Sequence, residues 1–163
     1  MDNGRVLHAS HDGIHVLRFI GDVRYTLSPS IERYLDGVFD SQQPAGFVID
    51  LTETDSIDST NLGLLVRIAR RMPAPGERRI TIVSNRAEIN SILASMALDE
   101  VFDIVEDTCP ETGQAREVPC ENADREALSR TLIDAHRALM DLSEHNREMF
   151  RDVVASLEKN SGE

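Results

Sequence analysis

Residues 47–63 read FVIDLTETDSIDSTNLG, and this stretch decides the fold. Phe47-Val48-Ile49 is a short apolar run ending at Asp50-Leu51, the pattern of a buried strand. Residues 52–55 are polar and predict a loop. Ile57-Asp58-Ser59-Thr60-Asn61-Leu62-Gly63 then runs into the amphipathic residues 64–72. The first turn of that helix carries Asp, Ser, Thr and Asn, the residue types that cap helices. Backbone N–H groups in a first turn lack intrahelical partners and sit at the positive end of the helix dipole. A hydroxyl there is a good cap, and a phosphate there would be well stabilised. Strand, loop and helix in this order point to an α/β protein.

The flanking sequence repeats the theme. Residues 5–9 and 14–20 are β-prone and flank Ser10-His11-Asp12-Gly13, whose Asp-Gly pair predicts a hairpin. Residues 28–39 open with Ser28-Pro29, an N-cap followed by a proline at the first helical position. Their apolar residues Ile31, Tyr34, Leu35, Val38 and Phe39 fall at helical spacing. The helix after Ser59 carries Leu62, Leu65, Val66 and Ala69 on one face and stops by Pro73-Ala74-Pro75-Gly76. Residues 79–83 predict a strand. Residues 86–96 predict a helix with Ile89, Ile92, Leu93 and Met96 as its stripe, and residues 101–105 a last strand. The order ββαβαβαβ implies a mixed sheet of about five strands covered by helices, with right-handed parallel crossovers.

Residues 108–122 contain turn formers and no periodicity, so a linker is expected there between a domain at 1–107 and a helical region at 123–163. Residues 123–159 contain neither Pro nor Gly. Leu128, Leu132, Ala135, Leu139, Leu142, Asn146, Met149 and Val153 recur at alternating steps of four and three, a heptad seam with one polar member. Such a stripe must bury itself against the core, a second copy of the chain or a partner. A kink into two antiparallel helices is also open, with Ser143-Glu144-His145 as the break.

Composition narrows the function. Acids outnumber bases 29 to 17, giving a net charge of −12, whereas nucleic-acid binding needs clustered Lys and Arg. Mean hydropathy is −0.29. No apolar run approaches the roughly 20 residues of a membrane span, and residues 1–5 lack a signal-peptide pattern. A cytoplasmic protein is the expectation, with Cys109 and Cys120 as free thiols. Asp22, Asp55 and Asp58 could be mistaken for a metal or acid–base cluster; loop capping and solvation is the favoured reading. His8, His11 and His15 fall on the predicted hairpin, where surface or half-buried histidines outrank a metal site. Ser59 has no obvious histidine base, and no Gly-x-Ser-x-Gly elbow, phosphate-binding loop or dinucleotide fingerprint occurs. No catalysis, cofactor or metal is expected.

The segment Ile57-Asp58-Ser59-Thr60-Asn61-Leu62-Gly63 resembles the Asp-Ser-Ser/Thr-Gly-Leu-Gly signature of STAS domains, in particular the anti-sigma factor antagonists of bacterial partner-switching systems. Gly21-Asp22 after the apolar residues 16–20 is similar to that family's Gly-Glu/Asp step, with Arg24 where a second acid is usual. Asn61 stands where the family has Gly. The resemblance covers about residues 5–107. It implies that Ser59 is the phosphoacceptor, with Ser56 as a neighbouring alternative. It places Asp22 and Asp58 on the face that touches the kinase, and Thr60 and Asn61 on the same partner-facing turn. The implied partners are an anti-sigma factor, often a serine kinase, and a phosphatase, in some systems a response regulator. The implied switch is electrostatic: unphosphorylated chain binds, phosphorylated chain does not. A scaffold or dimerisation module acting through the C-terminal helix, with Ser59 only a cap, is the alternative.

Overall fold

Asp12 and Gly13 both adopt left-handed backbone, with φ of 51° and 81°, as a two-residue turn between right-twisted strands requires. They join β1 (Arg5–His11) to β2 (Ile14–Val23) in antiparallel register. The computed structural model describes residues 3–72, 80–107 and 114–161. The expected helix stop at residues 73–76, Arg79 and Cys109 lie outside the described residues. Cys120 is an exposed free thiol.

The sheet runs in the order β6-β5-β3-β2-β1-β7, with β4 also paired to β2. β3 (Gly46–Asp50), β5 (Thr81–Val83) and β6 (Asp103–Val105) lie parallel to one another and to β2. α1 (Ser28–Ser41), α2 (Ser59–Arg71) and α3 (Ala87–Ser95) connect them. The apolar stripes expected for these helices enter one core: Ile31 and Leu35 of α1, Leu62 and Leu65 of α2, and Ile89 and Leu93 of α3 meet Leu17, Phe19, Ile49 and Ile82 of the sheet. The fold is the mixed α/β sheet with helical covers and C-terminal helices that the sequence implies.

Two strands lie where loops were expected. β4 (Thr54–Ile57) occupies the end of the polar stretch after β3. Its sequence TDSI carries no apolar alternation, but β2 is ten residues long. The first half of β2 pairs with β3 and the second half with β4, the β4 pairing shifting register between Gly21 and Asp22. Buried Thr54 donates its hydroxyl to the Phe19 carbonyl at 2.7 Å. β7 (Arg116–Glu117) lies in the expected linker and pairs antiparallel with β1. Val118 beside it is buried. Two residues of strand surrounded by turn formers leave no periodicity to read.

The chain after β7 forms α4 (Arg125–Met140) and α5 (Glu144–Ser161), so the tail breaks at residues 141–143. Asp124 caps α4 by accepting from the Ala127 N–H at 2.7 Å. The Ser143 hydroxyl accepts from the Asn146 N–H at 3.0 Å at the start of α5. α4 lies along α2 and α5 folds back on α4. The break shifts the helical phase. Ala135, Leu139 and Asn146 of the seam are buried, but Met149 and Val153 are exposed, and Phe150 and Val154 are buried in their place. Asn146 therefore sets no coiled-coil register. Its side-chain amide donates to the carbonyls of Met96 (2.8 Å) and Leu139 (2.9 Å), tying the hairpin to the end of α3.

Candidate functional site

The β4–α2 junction builds the site. Ile57 is held in register opposite Val23, and the Asp58 N–H donates to the Val23 carbonyl at 3.2 Å. Asp58, with extended backbone, is the N-cap of α2, not Ser59. One carboxylate oxygen of Asp58 accepts from the backbone N–H and the side-chain amide of Asn61, both at 3.0 Å. Its other oxygen accepts from the Tyr25 N–H at 2.5 Å. A carboxylate satisfies the unpaired N–H groups of a first turn and opposes the positive helix end, so Asp outperforms a hydroxyl here. Asn61 is fully buried, and its side-chain oxygen accepts from the buried Ser28 hydroxyl at 2.9 Å. Ser28 is thus a bridge from α1 to α2 and makes no cap bond. Thr60 is also buried.

Relieved of capping, Ser59 becomes the first residue of α2, and its hydroxyl turns outward to α4. Ser59 Oγ lies 2.8 Å from Nε2 of His136, a residue 77 positions away in sequence. His136 Nδ1 lies 2.7 Å from the Leu132 carbonyl. A carbonyl only accepts, so Nδ1 carries a proton; in the neutral tautomer this leaves Nε2 to accept the Ser59 O–H. The imidazole is 5% exposed and stands edge-on to Phe150. One turn further along α2, a Cβ on Gly63 would collide with the backbone carbonyl of Ala135. The two helices cross in backbone contact at that point, next to His136. Nothing in the sequence linked His136 to Ser59; the tail stripe pointed to Ala135 and Leu139, and only the docking of α4 brings the imidazole round.

Ser59–His136 is also a hydroxyl and a base at hydrogen-bond distance. Acyl chemistry needs more, namely donors aimed at a developing oxyanion. The Asn61 N–H, which would be one, is already bound to Asp58. A groove of about 470 Å³ between α1, α2 and α4 is lined by Arg67, Arg70, Arg71 and Arg137, and reaches neither Ser59 nor His136. Each of those arginines is ion-paired: Arg67 with Glu32 and Asp134, Arg70 with Asp141, Arg71 with Asp36, Arg137 with Glu158.

The other expected residues separate into local pairs. Asp22 accepts from the Ser56 hydroxyl and from Arg24 Nε at 2.6 Å. These two bonds, Ser56 first, hold its carboxyl below the usual range. Arg24, in place of a second acid, therefore neutralises part of this face. Asp55 pairs with Arg86 at 2.7 Å. Among the described residues no group of three acid, His or Cys side chains could hold a metal ion. His8 and His15 do come together across the hairpin, with His8 Nε2 2.8 Å from His15 Nδ1 and the rings stacked at 5.0 Å. His8 Nδ1 bonds the Tyr34 hydroxyl at 2.6 Å. Burial, then His15, then positive Arg116 lower the His8 pKa to about 4, and burial lowers that of His15. His11 stays at the surface beside Asp12.

A sheet of this order with a capped, hydroxyl-bearing turn at the start of α2 defines a class. The STAS domain family model matches residues 7–115, and the chain belongs to the STAS domain family. Among solved structures, the chain resembles an anti-sigma factor antagonist from Mycobacterium paratuberculosis. The TM-score is 0.56 and the identity 21%, over 64% of this chain and 87% of that one. No curated protein matches the chain in sequence. The α4–α5 hairpin lies beyond residues 7–115 of the family match. Among the described residues no helix is long and apolar enough to cross a membrane.

Proposed function

We propose that this protein is an anti-sigma factor antagonist of the cytoplasm, switched by reversible phosphorylation of Ser59. The observation that carries the reading is the placement of Ser59. It is the first residue of α2, free of capping because Asp58 does that work, in a turn rich in N–H groups. Unphosphorylated, the chain binds an anti-sigma factor and so releases a sigma factor. The anti-sigma factor or an associated serine kinase phosphorylates Ser59, and a phosphatase, such as one carried by a response regulator, resets it. ATP and magnesium belong to the kinase, and this chain catalyses nothing itself. Asp22, Asp58, Thr60 and Asn61 shape the docking turn. Asp22 and Asp58 face the partner, while buried Thr60 and Asn61 hold the turn in shape. Phosphate brings about −1.5 to −2 further charge beside Asp58.

The test is calorimetric titration against the anti-sigma factor encoded nearest to this gene. Ser59→Ala should keep its affinity, and Ser59→Asp should lose on the order of 1–3 kcal/mol. Equal affinities would remove Ser59 from the switch. Phosphate mapping by mass spectrometry after incubation with the kinase should find Ser59, and full incorporation in Ser59→Ala would move the site to Ser56 or Thr60. Dimerisation through the C-terminal helix is the weaker reading, because α4 spends its buried stripe on α2 of the same chain.

A further inference from the structure

The α4–α5 hairpin packs on α2 beside the turn that carries the switch residue, leaving Ser59 half-buried, and three observations tie Ser59 to that packing. The Ser59–His136 bond lies one helical turn from the point where α2 and α4 touch backbone to backbone, at Gly63 and Ala135. The imidazole donates its Nδ1 proton to the Leu132 carbonyl, and in that neutral tautomer Nε2 accepts the hydroxyl proton of Ser59. The contact therefore needs the small hydroxyl of Ser59 within hydrogen-bond reach of Nε2. Beside it stands the Asp58 carboxylate, fixed by three N–H donors.

We propose that Ser59 is the latch of the α4–α5 hairpin, and that its phosphorylation frees the hairpin from α2. The inference rests on the reading of Ser59 as phosphoacceptor. A kinase transfers the γ-phosphoryl of a nucleoside triphosphate to Ser59 Oγ. The new bond is Oγ–P, the bond broken is that from γ-phosphorus to the bridging oxygen, the nucleoside diphosphate leaves, and the hydroxyl proton passes to solvent through the kinase. The product has no O–H to donate. Its phosphate does not fit in the 2.8 Å space between Ser59 Oγ and His136 Nε2, one turn from the backbone contact of Gly63 and Ala135, and it adds negative charge next to Asp58. The helices cannot part slightly to make room, because close-packed interfaces give way as a unit. By linkage, docking and phosphorylation oppose each other by the same factor. The released form presents the phosphoserine uncovered, in the state a phosphatase must read.

Amide hydrogen exchange of the full chain, with phosphoserine encoded at position 59, tests this without any partner. In the phosphoserine chain, amides of α4 and α5 should exchange on the order of ten- to hundredfold faster, while those of β2 and β3 stay as they were. Ser59→Ala, which removes the bond but adds no charge, should change hairpin exchange by less than about tenfold. Gly63→Ala forces a methyl into the Ala135 carbonyl and should free the hairpin by itself. Phosphoserine added to Gly63→Ala should then add nothing. Unchanged hairpin exchange on phosphorylation overturns the latch, as does an additive effect in the double variant. Faster exchange of β2 and β3 alongside the hairpin overturns it too, since a latch leaves the sheet intact. If partner affinity falls on phosphorylation while the hairpin stays protected, the latch fails and the antagonist reading stands. If the hairpin opens but no anti-sigma factor binds, the reverse holds.

Discussion

α2 and α3 leave the same sheet and shield the same core, yet they are buried differently. α3 hides Ile89 and Leu93 and exposes Glu88, Ser91 and Ala94, the pattern of a helix with one face in water. α2 buries an unbroken run from Thr60 to Val66, and Ile68 as well. Its outward face carries Gly63 and a hydroxyl, which are poor material for a hydrophobic face and good material for a close helix crossing. The difference shows that α2 is a middle layer. The sheet selects its leucines, and α4 selects its small and polar residues.

Particular positions tell the two helices apart. Leu65 of α2 and Leu93 of α3 both face the sheet and are fully buried. Truncating either to Ala should cost about 2–5 kcal/mol in urea unfolding; a much smaller loss at Leu65 would show that α2 takes its stability from the hairpin instead. Asn146→Ala strips the buried Leu139 carbonyl and the half-buried Met96 carbonyl of a donor each and should cost about 2–4 kcal/mol. A neutral result would mean that the hairpin is not anchored at α3. At the outward faces the two helices should differ in sign. Ala is favoured over Gly in a free helix by up to about 1 kcal/mol, yet Gly63→Ala should destabilise by about 1–3 kcal/mol, because a backbone carbonyl fills the space. Stabilisation by that variant would mean that α4 does not cross there.

The His8–His15 pair provides a contrast on the α1 side. The His8 pKa is about 4 in the folded chain, below its ordinary 6.5. Above pH 6.5 both states are neutral and the contribution to stability is fully present. As pH falls from 6.5 toward 4 the unfolded chain gains a proton that the folded chain refuses, and stability drops. The loss, discounted for partial screening, should be about 1–2 kcal/mol. His8→Gln should flatten the curve of unfolding midpoint against pH in that window. The smallest effect belongs to the solvent face of α3, where Ser91→Ala should gain at most about 0.5 kcal/mol in melting experiments.

The legible parts of the molecule are those whose signal is local. Asp12-Gly13 fixes its hairpin by backbone preference, and the stripe of α1 by period. Pro29 sits in the first turn of α1 as its ring requires. The Ser59 turn was legible as a capped helix start, although the cap is Asp58. β4 was hidden because its pairing is imposed by the length of β2. The hairpin was half legible. Absence of Pro and Gly announced helix, but a single heptad phase carried across residues 141–143 put Met149 and Val153 inside, where Phe150 and Val154 belong. His136 was out of reach altogether. Its role comes from a contact between segments 77 residues apart, and sequence spacing carries no record of that.

β7 has a consequence for synthesis. It covers β1, laid down more than a hundred residues earlier, by exchanging pairs at Leu7–Glu117 and His8–Arg116. A chain emerging from the ribosome at roughly 5–20 residues per second completes every other strand of the sheet before Arg116 appears. For some seconds β1 is an open edge, able to pair with another nascent chain. β7 then covers Leu7 and His8 of that edge, with the Val118 N–H on the Val6 carbonyl beside them. Slow translation through residues 108–122 would lengthen that exposure.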